Sequence, residues 1–267
     1  MSTRIAIYGV AGRMGRSIVR VVGEDGDASL AAAVGRAQSS AQGVDAGVLA
    51  GLPQPLSVPV SSDLVAAVTG CDVLIDFSLP AGTQAALAAC REARRAAVVG
   101  TTGLEVAQQD ALAALAEVAP VVFAPNFSVG VNVFWALARR AVEMLGEEFD
   151  LEIVEMHHRN KVDAPSGTAA RLLEVAAEAR GVSADAAVHG RQGVMGARTQ
   201  REIGVHALRG GDVVGDHTLI LAGPGERVDI AHRAHSREIF ARGAVRAAKW
   251  VVAQPPGLYS MGDVLGL

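Results

Sequence analysis

Residues 4–23 read RIAIYGVAGRMGRSIVRVVG, and the fold turns on how they are read. RIAIYGV (4–10) is a short apolar run that predicts a buried strand. AGRMGRSIVRVVG (11–23) then carries apolar residues at helical spacing and stops on a glycine. At the junction lies Gly9-x-x-Gly12-x-x-Gly15. A pyrophosphate must approach the backbone closely, which side chains would prevent, and a helix start offers unpaired N–H groups with positive partial charge. The spacing departs from GxGxxG because Ala11 stands in the middle glycine's place. On the motif alone, a dinucleotide cradle competes with a plain tight turn between strand and helix. The surrounding pattern favours the cradle.

That pattern is an alternation. Apolar strands are predicted over 29–35, 71–77, 96–100 and 120–126, with helices after 71–77 (opened by Ser78 and Pro80) and over 104–118. Continuously apolar strands alternating with helices imply a doubly wound, Rossmann-type parallel sheet covered on both faces. The rhythm then changes. A helix covers about 130–146, a strand 150–158 and a second helix 166–180, followed by strand-like pieces at 201–209, 216–222 and 226–233. Their partial alternation predicts an α+β unit with a mostly antiparallel, open sheet. A last helix, 236–252, returns to the first unit. The expected domains are 1–127 completed by 238–267, and 128–237. Residues 36–60, with three Gly and three Pro, read as a loop-rich, mobile segment.

Composition narrows the function. The net charge is −4, so nothing global attracts nucleic acid or an acidic membrane, and aromatics are only 4%, which argues against base stacking. The apolar region 111–138 is interrupted by Glu117, Pro120, Pro125, Asn126 and Asn132, so no membrane span is expected. Cys71 and Cys90 fit no zinc spacing and read as small buried hydrophobes. No metal is expected, and the cytoplasm is the expected compartment.

Against this mildly acidic whole, EMHHRNKVDAPSGTAARLLEV (155–175) crowds His157, His158, Arg159 and Lys161 ahead of a helix start at Ser166-Gly167-Thr168. Of 24 basic residues only Lys161 and Lys249 are lysine, and lysine, unlike arginine, can give up its proton. Like charges crowd at a cost unless an anion compensates. The first-turn N–H groups at 166–168 are expected to be unpaired and able to hold a carboxylate. Read as structure, the same residues are a helix cap after Pro165 and a strand-end histidine. Their joint density favours a small dianionic substrate with a histidine or lysine proton donor. His206, His217, His232 and His235 read as structural. The second strand ends at Gly35-Arg36 with no acid to bind ribose hydroxyls, so Arg36, with Arg13, is expected to meet a 2′-phosphate.

GVAGRMG, DFSLPAGT, GTTG, APNFSVGVN and above all HHRNKVDAPSGTA, in order along nearly the whole chain, resemble the dihydrodipicolinate (4-hydroxy-tetrahydrodipicolinate) reductase family. The resemblance implies NAD(P)H-dependent reduction of a cyclic imine dicarboxylate to tetrahydrodipicolinate on the diaminopimelate route to lysine. It implies that Gly9, Val10, Ala11, Gly12, Arg13 and Met14 hold the pyrophosphate. Gly100, Thr101 and Thr102, with Ala124, Pro125, Asn126 and Phe127, would lie near the nicotinamide ribose. It implies His157 and Lys161 as catalytic residues, and His158, Gly167, Thr168 and Thr102 as substrate contacts. It implies a homotetramer joined through the second sheet. Two departures stand out: Gly35 replaces an acid, which favours NADPH while leaving NADH open, and Asn160 replaces a common histidine. On the residues alone, another NAD(P)-dependent dehydrogenase of amino-acid metabolism and a non-catalytic NADP(H)-sensing regulator remain alternatives.

Overall fold

The computed structural model describes residues 2–267. Along the chain, β1 (Thr3–Tyr8), α1 (Arg13–Glu24), β2 (Ala28–Val34), α2 (Ala46–Ala50), β3 (Val60–Ser61) and α3 (Leu64–Thr69) come first. Then follow β4 (Val73–Asp76), α4 (Pro80–Ala93), β5 (Ala96–Val99), α5 (Val106–Ala116) and β6 (Pro120–Phe123). The chain continues through α6 (Val129–Leu145), β7 (Asp150–His157), α7 (Gly167–Arg180), β8 (Ala187–His189), β9 (Ile203–Arg209), β10 (Gly215–Gly223) and β11 (Glu226–Ala234). It ends with α8 (Glu238–Val251), β12 (Gly257–Tyr259) and α9 (Met261–Leu265). Two compact units result: Met1–Val129 with Glu238–Leu267, and Gly130–Arg237.

The first unit is built on a seven-stranded sheet in the order β12-β6-β5-β4-β1-β2-β3, with every pairing parallel. Successive strand residues enter opposite layers, which is why the strands read as unbroken apolar runs. Ile5, Ile7, Val73 and Ile75 pack with Ile18 and Val22 of α1 and with Ala244, Val245 and Ala248 of α8. Ala6 and Leu74 pack on the other face with Leu87 and Cys90 of α4 and Leu112 and Leu115 of α5. Cys71 and Cys90 are free and buried, and burial pushes both thiols up, Cys71 to about 11. From β1 the chain steps outward to β2 and β3, then resumes on β1's other side with β4. The carboxyl ends of β1 and β4 therefore flank the topological switch point, where such sheets bind ligands.

Residues 36–60 are loop-rich, as the sequence implies, with only α2 and the first residue of β3 regular, and one side chain organises them. The Asp45 carboxylate accepts from the backbone N–H groups of Gly47, Val48, Leu56 and Val58 at 2.8, 3.1, 3.0 and 3.0 Å. One short acid thus caps α2 and closes the loop after it, and its glycines and prolines conceal that role.

The second unit carries a five-stranded sheet in the order β11-β10-β7-β9-β8. Here too the expectation needs correcting. β10 is antiparallel to β7 and β11, but β9 is parallel to both β7 and β8, so the sheet is mixed. Parallel neighbours need a crossover, and α7 provides one between β7 and the three-residue β8, too short to register as a periodic pattern. One face is covered: Leu151, Ile153, Val205, Leu219 and Leu221 pack against Phe134 and Ala138 of α6 and Leu172 and Ala176 of α7. Among the described residues no helix is long and apolar enough to cross a membrane.

Candidate functional site

In the first unit, the turn after β1 is made by glycines with little room for anything else. Gly9 has φ +83°, and a Cβ there would stand 2.8 Å from the Phe77 carbonyl oxygen. A Cβ on Gly15 would stand 2.3 Å from the Gly9 oxygen and 2.6 Å from Val10 Cα, so α1 lies directly on the turn. Gly12 is the N-cap of α1 and no side chain caps it. Gly12 and Arg13 are exposed, Ala11 and Met14 are half-buried, and the Val10 side chain is in the core, leaving that residue only its backbone to offer. A helix start with its side chains cleared away and its first amides uncapped fits a dinucleotide pyrophosphate.

Phe77 brings two of the other predicted cofactor residues, Gly100 and Phe127, to this turn. A Cβ on Gly100 would lie 2.3 Å from the Phe77 ring, and the Phe77 and Phe127 rings stand 5.6 Å apart. Asp76, just before it, is 1% exposed and accepts from Ser78 N at 2.8 Å and Thr83 Oγ1 at 2.5 Å. Burial pushes the Asp76 carboxyl up despite those donors. Thr101 and Ala124 are buried, Thr102 and Pro125 exposed, and Asn126 Oδ1 accepts from Ser128 N at 2.8 Å. Sequence reasoning gave no role to Asp76 or Phe77; their signal was the quoted DFS, immediately after an apolar strand. Arg36 is exposed beyond β2, and a Cβ on Gly35 would already touch Val60 Cγ1 at 3.2 Å.

In the second unit, β7 alternates cleanly: Leu151, Ile153, Glu155 and His157 share the buried face. The last two are polar and touch. Glu155 is 0% exposed, and its Oε2 lies 2.6 Å from His157 Nδ1. Arg209, at the end of β9, forks onto it from Nη1 and Nη2 at 2.9 Å each, and Ser166 N–H donates to Oε1 at 3.1 Å. Burial alone would push the Glu155 carboxyl up, but the Arg209 fork, His157 and the Ser166 amide hold it below its ordinary range. Ser166 is the N-cap of α7; its Oγ accepts from Ala169 N at 3.2 Å and lies 2.9 Å from His217 Nε2. The His157 and His217 rings meet edge to face at 5.2 Å. Burial, then the neighbouring His157 charge, lowers His217 to about 4, and Lys161 acts in the same direction. The helix-start expectation is corrected in one respect: the Ser166 amide is already committed to Glu155.

Lys161 Nζ is engaged by Asp163, at 2.9 Å to Oδ1 and 2.8 Å to Oδ2. His158 follows β7 half-buried, and its Nδ1 is a buried atom with no hydrogen-bond partner. Gly167 and Thr168 open α7. His157, His217, Lys161 and the start of α7 therefore share one neighbourhood, with Glu155, Arg209 and Asp163 the members that sequence reasoning passed over and His217 one that it read as structural. Among the described residues no cluster of His, Cys, Asp and Glu is arranged to hold a metal ion.

Comparison with known proteins adds independent findings. A family model described as dihydrodipicolinate reductase, N-terminus, matches residues 3–127, and one described as its C-terminus matches 130–265. The chain is 53% identical to the 4-hydroxy-tetrahydrodipicolinate reductase of Alkalilimnicola ehrlichii, covering 100% of both chains. It is 52% identical to that of Anaeromyxobacter dehalogenans, covering 99% of this chain and 98% of the other. A solved dihydrodipicolinate reductase from Paenisporosarcina sp. TG-14, described as dipicolinate-bound, superimposes with TM-score 0.77 at 27% identity, covering 97% of this chain and 98% of that one.

Proposed function

The chain belongs to the dihydrodipicolinate reductase family, and from that premise we propose which of its residues carry out the NAD(P)H-dependent reduction of 4-hydroxy-tetrahydrodipicolinate in lysine biosynthesis. When bound, NAD(P)H supplies a hydride from C4 of its nicotinamide. Gly9 to Met14 receive the pyrophosphate, and Gly100 to Thr102 with Ala124 to Phe127 border the nicotinamide ribose. Arg36, with Arg13, meets the 2′-phosphate of NADPH. Gly35 offers no carboxylate to a ribose, and NADPH is the preferred form.

The ring substrate carries two carboxylates and needs one proton besides the hydride. Gly167 and Thr168 at the start of α7, with His158, Lys161 and Thr102, hold the carboxylates. His157 or Lys161 gives the proton. The observation that carries this reading is the shared anchor: one buried carboxylate, Glu155, touches both His157 and the Ser166 amide that begins the α7 turn. Proton donor and carboxylate-holding turn are thereby fixed to the same group. Lys161 is released from Asp163 when a substrate carboxylate takes that position. We place the chain in the cytoplasm, as a homotetramer joined through the five-stranded sheet, whose edge strand β11 is largely exposed. Light scattering reads the oligomer directly.

The test is NADPH oxidation, followed by absorbance, on adding the product of a coupled dihydrodipicolinate synthase reaction. Turnover with that product and none with aspartate semialdehyde alone is the expected result. The reverse pattern would point to another dehydrogenase, and silence with both substrates to a sensor. Dipicolinate, the ligand of the Paenisporosarcina relative, should bind competitively with the substrate.

A further inference from the structure

We propose that Glu155 is a positioning residue for the reaction: it holds His157 with its proton on Nδ1, so that Nε2 is the atom that carries and releases the reacting proton. The inference rests on the reading of His157 as a proton donor, and it deepens that reading.

Four donors and acceptors decide it. Both oxygens of Glu155 are already occupied by donors that can only donate, the Arg209 fork and the Ser166 amide. Such a carboxylate is ionised and accepts only. A proton must then sit on His157 Nδ1, which faces Oε2 at 2.6 Å. In an imidazole, fixing one nitrogen as donor leaves the chemistry to the other. Space is kept for it there. A side chain at Gly215 would bring its Cβ to 3.0 Å from His157 Nε2, so glycine clears the approach. The other titratable groups nearby do not compete. His217 is held neutral by burial, with its Nε2 turned to Ser166 Oγ at 2.9 Å, and Lys161 is paired with Asp163. The register makes this arrangement local and rigid. Residues two apart on a strand share a face, so Glu155 and His157 are neighbours by construction, and Arg209 sits opposite His157 on β9. Arg209 Nη2 also donates to the Asp163 carbonyl at 2.7 Å, tying the Lys161 loop to the same anchor.

Two measurements test it, both on the full chain. In ¹⁵N-histidine-labelled wild type, with His157→Gln used to assign the resonance, Nδ1 should carry the proton. A neutral ring with bare Nδ1 and protonated Nε2 overturns the proposal without any variant of Glu155. Second, Glu155→Gln should lower kcat between about 10- and 1000-fold, with KM for NADPH unchanged, since a misoriented general acid loses much of its advantage. Placed on a His157→Gln background, the same change should cost less than about twofold, because its route of action is already gone. Equal losses on both backgrounds would mean that Glu155 is merely structural. Wild-type kcat in His157→Gln alone would remove the donor reading itself, a result distinct from equal losses.

Discussion

The turn between β1 and α1 and the loop between β7 and α7 both serve anions in this reading, and they are built on opposite plans. The first works by subtraction. Gly9, Gly12 and Gly15 remove side chains where the turn, Phe77 and α1 crowd together, and on the proposed reading backbone amides do the binding. The second works by addition. Imidazoles and an ammonium lie near a helix start, and a buried carboxylate with an arginine fork anchors His157 and the first amide of that turn. A diphosphate shared by many enzymes needs only shape and partial charge. A reaction that needs one proton besides the hydride needs an acid with a fixed orientation, and only side chains supply that.

The sharpest way to break the contrast is to delete the acid. His157→Gln should lower kcat by about 10²–10⁴-fold, and Lys161→Ala should fall in the same range, with the dissociation constant for NADPH unchanged in both. If NADPH binding weakens instead, the two regions do not divide the work as described. Next in size is the subtraction plan. Gly15→Ala puts a methyl 2.3 Å from the Gly9 oxygen, and urea unfolding should report a loss of about 3 kcal/mol, the upper end for forced overpacking. Ser166→Gly keeps the amide on Glu155 but loses the cap and leaves the buried His217 Nε2 without its partner, so it should cost about 1–3 kcal/mol.

The added side chains also leave a signature in pH. His217 titrates near 4 in the fold, against about 6.5 when unfolded. Between those values the unfolded chain holds a proton that the native chain does not, so stability falls as pH drops through that window. The loss by pH 4 should be on the order of 2–3 kcal/mol, and His217→Phe should flatten that part of the curve in urea titrations at stepped pH. Cofactor choice supplies a separate test. Arg36→Ala should raise KM for NADPH about tenfold, the worth of one charge-assisted contact, and leave KM for NADH alone. An unchanged NADPH preference would remove Arg36 from the cofactor site.

How legible each region was follows from the same difference. The glycine turn is a contiguous pattern whose requirement, no Cβ, is written in residue identity, and the alternating strands place it at a sheet's switch point. The charged segment was equally visible, because His157, His158 and Lys161 are neighbours in sequence. What fixes them was not. Arg209 is 54 residues from Glu155 and His217 is 51 from Ser166, and only the pairing of β7 with β9 and β10 brings them together. Glu155 itself was in plain view, but its role depends on the buried face of β7, which the alternation of Leu151 and Ile153 implies only once a register is chosen. The second sheet's parallel half was hidden for a similar reason: β8 is three residues long, and its direction is set by α7 rather than by any pattern of its own.

The most direct test of the central claim is a crystal structure with NADPH and dipicolinate bound together. The carboxylate oxygens should lie within hydrogen-bonding reach of His158, Lys161 and the Gly167–Thr168 backbone, with His157 Nε2 facing the ring. Dipicolinate seated with both carboxylates out of reach of those residues, or with Nε2 turned away from it, would contradict the account.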